Sequence, residues 1–129
     1  MMSFNWEKYL ELAEYIYKNS DSLPDKEAGY RASASRAYYA VFCTIRRYVR
    51  GADGKEYKGG DAHKKVQERL KKSRDPLRRT IGNQLEKLHL KRIKADYYDI
   101  LRETPYNLAK DSISHAKKII SEIKELSAT

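Results

Sequence analysis

Tyr30-Arg-Ala-Ser-Ala-Ser-Arg-Ala-Tyr-Tyr-Ala-Val-Phe-Cys-Thr-Ile-Arg-Arg-Tyr-Val49 is the stretch that decides the fold. Tyr30, Ala34, Ala37, Tyr38, Val41, Ile45, Tyr48 and Val49 recur at steps of three and four, the spacing that gathers side chains on one face of an α-helix. A chain-central helix follows, with Gly51 as its expected end. Polar atoms break into this face: Ser33, Ser35, Arg36 and Tyr39 lie beside otherwise apolar positions. Arg36 there either makes a polar contact between helices or faces an anion.

Upstream, Trp6, Tyr9, Leu10, Ala13, Ile16 and Tyr17 predict a first helix over about 4–19, and Asn19 to Ser22 a polar break. Pro24 suits the first turn of the second helix. Downstream, residues 51–60 hold four of the six glycines and read as an exposed, mobile loop that lacks the Gly-Lys-Ser/Thr ending of a phosphate-cradling P-loop. Asp61 is placed to cap a short third helix with His63, Val66 and Leu70 inward. Pro76 opens a fourth helix striped by Leu77, Ile81, Leu85, Leu88, Arg92 and Ala95. Thr104 and Pro105 open a fifth, with Ala109, Ile113, Ala116, Ile120 and Ile123 inward. No strand alternation competes, so the expectation is an all-α, up-and-down bundle of four or five helices in a single domain.

The chain has 129 residues, with 27 Lys and Arg against 18 Asp and Glu and a net charge of +9. Residues 31–94 alone carry +13, between an N-terminal stretch at −3 and a C-terminal one at −1. A basic middle favours polyanions, since neutralising phosphates releases counterions, although a solvated Lys/Arg face has the same composition. No run of about 18 apolar residues exists to cross a bilayer, and no signal-peptide core follows Met1. A cytoplasmic protein is expected. Cys43, the one cysteine, can form neither an intramolecular disulfide nor a Cys-rich zinc site and reads as a small core residue. No His-Glu-x-x-His, Gly-x-Ser-x-Gly or Gly-x-Gly-x-x-Gly occurs. Neither metal nor cofactor is expected. His63 should be partly buried, and His89 and His115 at the surface.

Arg92 is the most informative residue, because a guanidinium on the apolar stripe of the fourth helix must be paired or face a cleft. Asp96, four residues on, is on the same side. The alternatives are an Arg92–Asp96 ion pair and an anion-facing arginine. Eleven tyrosines, with pairs at 38–39 and 97–98, allow one ring of each pair inward and the other at an edge, where it either fills the core margin or stacks on bases.

The segment Tyr30 to Phe42, with its Ser-Arg-Ala-Tyr-Tyr-Ala-x-Phe core, resembles the second-helix signature of HEPN-domain proteins. Ile81-Gly82, Leu85, Leu88 and Arg92-Ile-Lys-Ala-Asp-Tyr97 are similar to a second signature of the same branch, over roughly residues 6–126. The resemblance implies a helical bundle, usually a homodimer, from toxin-antitoxin, CRISPR-linked and other defence systems and often encoded beside a minimal nucleotidyltransferase. Catalytic members are metal-independent ribonucleases in which an Arg is followed by four to six residues and then a His. Here that Arg would stand at 56–58, 82–84 or 108–110, and none of these is Arg. Arg92 matches the motif's arginine, but Tyr97 stands where the His would, and a phenol with a pKa of about 10 is a poor base at neutral pH. The expectation is a non-catalytic or degenerate module that binds RNA or a nucleotide through Arg36, Tyr39, Arg92 and Asp96, or accompanies a nucleotidyltransferase. The alternatives are a ribonuclease in which Arg92 works with Tyr97, His63 or a partner's residue, and a purely structural dimer. On either binding reading, the second and fourth helices should bring Arg36 and Arg92 to one groove.

Overall fold

The computed structural model describes residues 3–128. These form α1 (Lys8–Lys18), a short 3-10 turn (Ser20–Ser22), α2 (Lys26–Asp53), α3 (Ala62–Lys71), α4 (Pro76–Tyr97) and α5 (Pro105–Ala128), with no strand among the described residues. α2 is the axis of the bundle: α1, α4 and α5 pack along it, while α3 lies chiefly against α4. Its inward face is the one the sequence spacing marks, with Ala34, Ala37, Tyr38, Val41, Ile45 and Val49 buried. Small residues let neighbours come close, and the fully buried Ser33 satisfies its hydroxyl by donating to the Ala13 carbonyl of α1 at 2.7 Å. Ile81, Leu85 and Leu88 of α4 and Leu108, Ile119 and Ile123 of α5 are buried in turn. Burying each such side chain contributes about 1.5–3 kcal/mol.

Helix ends depart from expectation in four places. α1 begins at Lys8 rather than residue 4, because Phe4, Trp6 and Tyr9 turn inward on one another with ring centroids 4.9–5.5 Å apart. Pro24 stands outside α2: Asp25 is the cap, accepting from the Ala28 N–H at 2.8 Å, and Leu23 is extended as a residue before proline must be. Gly51 does not end α2, which continues through Asp53 to Gly54 at φ 65°, so the expected 51–60 loop loses its first three residues to the helix. Asp53 fixes that end by accepting from Arg69 at 2.8 Å and from Arg78 at 3.0 and 2.5 Å. Asp61 precedes α3 without a side-chain cap bond and pairs instead with Lys65 at 2.9 Å.

The expected starts of α4 and α5 are present. Asp75 accepts from Leu77 N–H ahead of Pro76, and Thr104 Oγ1 from Asn107 N–H ahead of Pro105. Gly82 lets α4 meet α3, since a Cβ there would stand 2.9 Å from the Lys71 backbone nitrogen and the Leu70 Cβ. Among the described residues no helix is long and apolar enough to cross a membrane.

Candidate nucleic-acid interface

Arg31 sets the relation of α2 to the end of α4. Its guanidinium donates to the carbonyls of Ala95 at 3.2 Å and Tyr98 at 2.6 Å, groups a helix C-terminus leaves without partners. One turn further along α2, Ser35 Oγ donates to Asp96 at 3.2 Å. The same carboxylate faces Arg92 at a long 3.5 Å. Arg92 is only 8 % exposed, and its Nε has no hydrogen-bond partner among the described residues. Its guanidinium carbon lies 5.4 Å from the ring centres of both Tyr38 and Tyr39 and 5.9 Å from that of Tyr97.

Arg36 also borders Tyr39, 5.0 Å from that ring and 5.1 Å from Tyr9. No carboxylate pairs with it among the described residues. Both guanidiniums therefore border one tyrosine ring, so α2 and α4 do bring Arg36 and Arg92 close together, at the seam that forms the candidate groove. Such cation–π contacts hold a guanidinium in place without neutralising its charge.

Beneath the groove the rings of Tyr38, Phe42, His63 and His89 stack, with Phe42–His63 centroids at 4.1 Å and His63–His89 at 5.1 Å. The Tyr38 hydroxyl shares a hydrogen bond with His63 Nδ1 at 2.5 Å; burial pushes the phenol's pKa up, so it keeps its proton. Burial, then His89, Arg92 and Arg46, hold His63 down at about 4. Burial and Arg92 lower His89 as well. Both imidazoles are neutral at neutral pH, and the nitrogens of His89 can be assigned. Arg92 can only donate, so His89 Nε2, 3.3 Å away, accepts. The proton of His89 then sits on Nδ1, 2.9 Å from the Gln67 side-chain amide, whose oxygen must face it.

His89 is half-buried, not at the surface as the sequence reading had it, because three residues before Arg92 is the same face of α4. The motif search missed it by requiring the Arg to come first. The pair His63 and Tyr38 crosses from α3 to α2, and no local spacing announces it. His115 is also half-buried, on the α4–α5 side, bonded to Gln84 and near Lys91 at 3.2 Å, with burial and Lys91 lowering it to about 4. Cys43 is buried and its thiol raised by burial. Among the described residues no three His, Cys, Asp or Glu side chains come together as a metal site.

Seven groups thus meet at one place: Arg36, Tyr39, Arg92 and Asp96 at the groove, Tyr97 over its rim, and His63 with His89 in its floor. No characterised protein and no solved structure matches the chain. The profile of the HEPN domain matches residues 6–126, nearly the whole sequence and all five helices but for the end of α5, and the chain belongs to the HEPN domain family.

Proposed function

We propose that the groove between α2 and α4 binds phosphate groups of RNA or of a nucleotide without cleaving them. One observation carries the reading: two guanidiniums border the Tyr39 ring while a single carboxylate, held at 3.5 Å and shared with Ser35, faces only one of them. A tight structural pair would hold Asp96 closer and would leave no second arginine unmatched. The positive charge of residues 31–94 extends the attraction beyond the groove.

The absence of a competent base favours binding over cleavage. Cleavage without a metal needs a group to take the 2′-hydroxyl proton. His89 has both nitrogens engaged, and His63, bonded to Tyr38 and held down at about 4 by burial and its cationic neighbours, is a weak base at neutral pH. A second reading, metal-independent ribonuclease, draws on the contact between His89 and Arg92: were an incoming phosphate to draw Arg92 away, His89 Nε2 would be free to act as base. A homodimer completes the proposal, through Tyr97, Tyr98 and Ile100, which stand exposed beside Asp96 with Ile100 at 84 %. A nucleotidyltransferase partner within a toxin-antitoxin or defence system is the setting we propose for it.

The test is binding of a labelled single-stranded RNA over a salt series, with EDTA present and product analysis on a gel. The expected result is salt-sensitive binding, with a log-log slope of about −0.7 per phosphate contact, and intact RNA. Cleavage in EDTA that Arg92→Gln abolishes would establish the ribonuclease reading, and salt-independent or absent binding would leave only the structural dimer.

A further inference from the structure

A second basic cleft opens on the far half of α2. Arg46, Arg47 and Arg50 project from one face, as the i, i+1, i+4 spacing requires, and with Trp6, Tyr57 and Lys58 they line a cavity of about 360 Å³. Its charge is unbalanced. Four cations face one carboxylate, Glu56, which stands 3.9 Å from Arg50 and 3.6 Å from Lys58. Arg46 and Arg47 have no carboxylate partner among the described residues; Arg47 donates to the Phe4 carbonyl at 2.5 Å. Arg46 lies between the rings of Trp6, at 5.9 Å, and Phe42, at 5.6 Å, which hold its guanidinium while leaving its charge in force.

We infer that this cleft binds a nucleoside phosphate, with its phosphate on the arginines and its base against Trp6 and Tyr57. Guanidinium forks match phosphate oxygens in pairs, and aromatic walls offer the stacking face that a bare anion cannot use. The volume falls in the lower range of small-ligand sites and suits one nucleotide unit. Two sources share that chemistry: a free mononucleotide, or one residue of an RNA strand that continues from the first groove. Arg36, Tyr39, Cys43, Arg46 and Arg50 follow one another at steps of three and four along α2, so a strand could run about 21 Å along this face at 1.5 Å per residue. The inference does not require the Arg92 groove to be occupied.

Trp6 is the chain's only tryptophan, so its fluorescence reports on the cleft. The protein is titrated with 5′-AMP, with a ten-nucleotide RNA and with inorganic phosphate. Saturable quenching by AMP is expected, weakened about tenfold or more by reversal of one phosphate contact in Arg50→Glu. Arg50 is exposed, so this variant should keep its fold, which circular dichroism verifies. Arg92→Gln should leave the AMP titration within about twofold of the parent while weakening RNA binding, which separates this cleft from the first groove. RNA at least about tenfold tighter than AMP would identify the strand as the source, and equal affinities the free nucleotide. Absence of quenching by both, quenching unaltered in Arg50→Glu, or displacement of AMP by inorganic phosphate at equal concentration would overturn the inference.

Discussion

Two places in this molecule gather a pair of arginines and a single acid, and they are built differently. At the end of α2, Asp53 is 10 % exposed and takes Arg78 through two oxygens and Arg69 through one, all within 3.0 Å. At the α2–α4 groove, Asp96 meets Arg92 at 3.5 Å, and Arg36 has only aromatic neighbours. Short bonds to a shared carboxylate fix three elements and commit the donors of both guanidiniums to it. A long bond and ring contacts fix the arginines and leave charge for a ligand. Counting arginines cannot separate these cases; the distance to the carboxylate does.

The largest effect should come from breaking the first arrangement. Asp53→Asn strands two guanidiniums, one of them in Arg78 largely buried, and should lower stability by about 3 kcal/mol in a denaturant melt. The acid side follows the same logic. Arg78, then Arg69, hold the Asp53 carboxyl at about 2 against about 3.9 unfolded. Its contribution is therefore complete above pH 4 and lost as pH falls through 2, and Asp53→Asn should remove that limb of the stability curve.

Next in size, Gly82→Ala forces α3 from α4 against the Lys71 backbone and should destabilise by about 1–3 kcal/mol, as overpacking does. A third window lies higher in pH. His63 titrates near 4 when folded and near 6.5 unfolded, so the unfolded chain takes the proton first and stability falls as pH drops from about 6.5 to 4. Because the ring is half-buried the loss attributable to it should be no more than about 2 kcal/mol. His63→Gln should flatten that part of the profile, leaving the share of His115. The smallest effect on stability should come from Arg92→Gln, about 1 kcal/mol or less, given the long ion pair, with RNA affinity down about tenfold. A loss of several kcal/mol without a change in affinity would place Arg92 with Arg78 as a structural arginine.

The bundle was legible because burial of one helix face imposes a period, and Arg92 stood out because it occupies a buried register position in that period. Helix ends were less legible: several glycines could terminate α2, and the tie from Asp53 to α3 and α4, which carries the helix past Gly51, joins residues 16 and 25 positions apart. The groove was half legible. Arg36, Tyr39, Arg92 and Asp96 follow from register on two helices, whereas the meeting of His63 with Tyr38 depends on where a separate helix docks. His89 needed only that the Arg-to-His spacing be read in both directions along α4.

The seating of α3 has a kinetic consequence. It rests chiefly on α4 and reaches α2 through a narrower seam that includes Asp53 to Arg69, Tyr38 to His63 and the Phe42–His63 stack. Ten residues so held form the part of the bundle that can detach while the α1–α2–α5 core persists. Amide protons of α3 should exchange with solvent well before those of α2, and each such excursion would uncover both the imidazole pair and the underside of Arg92, making α3 the shutter through which the floor of the groove meets water.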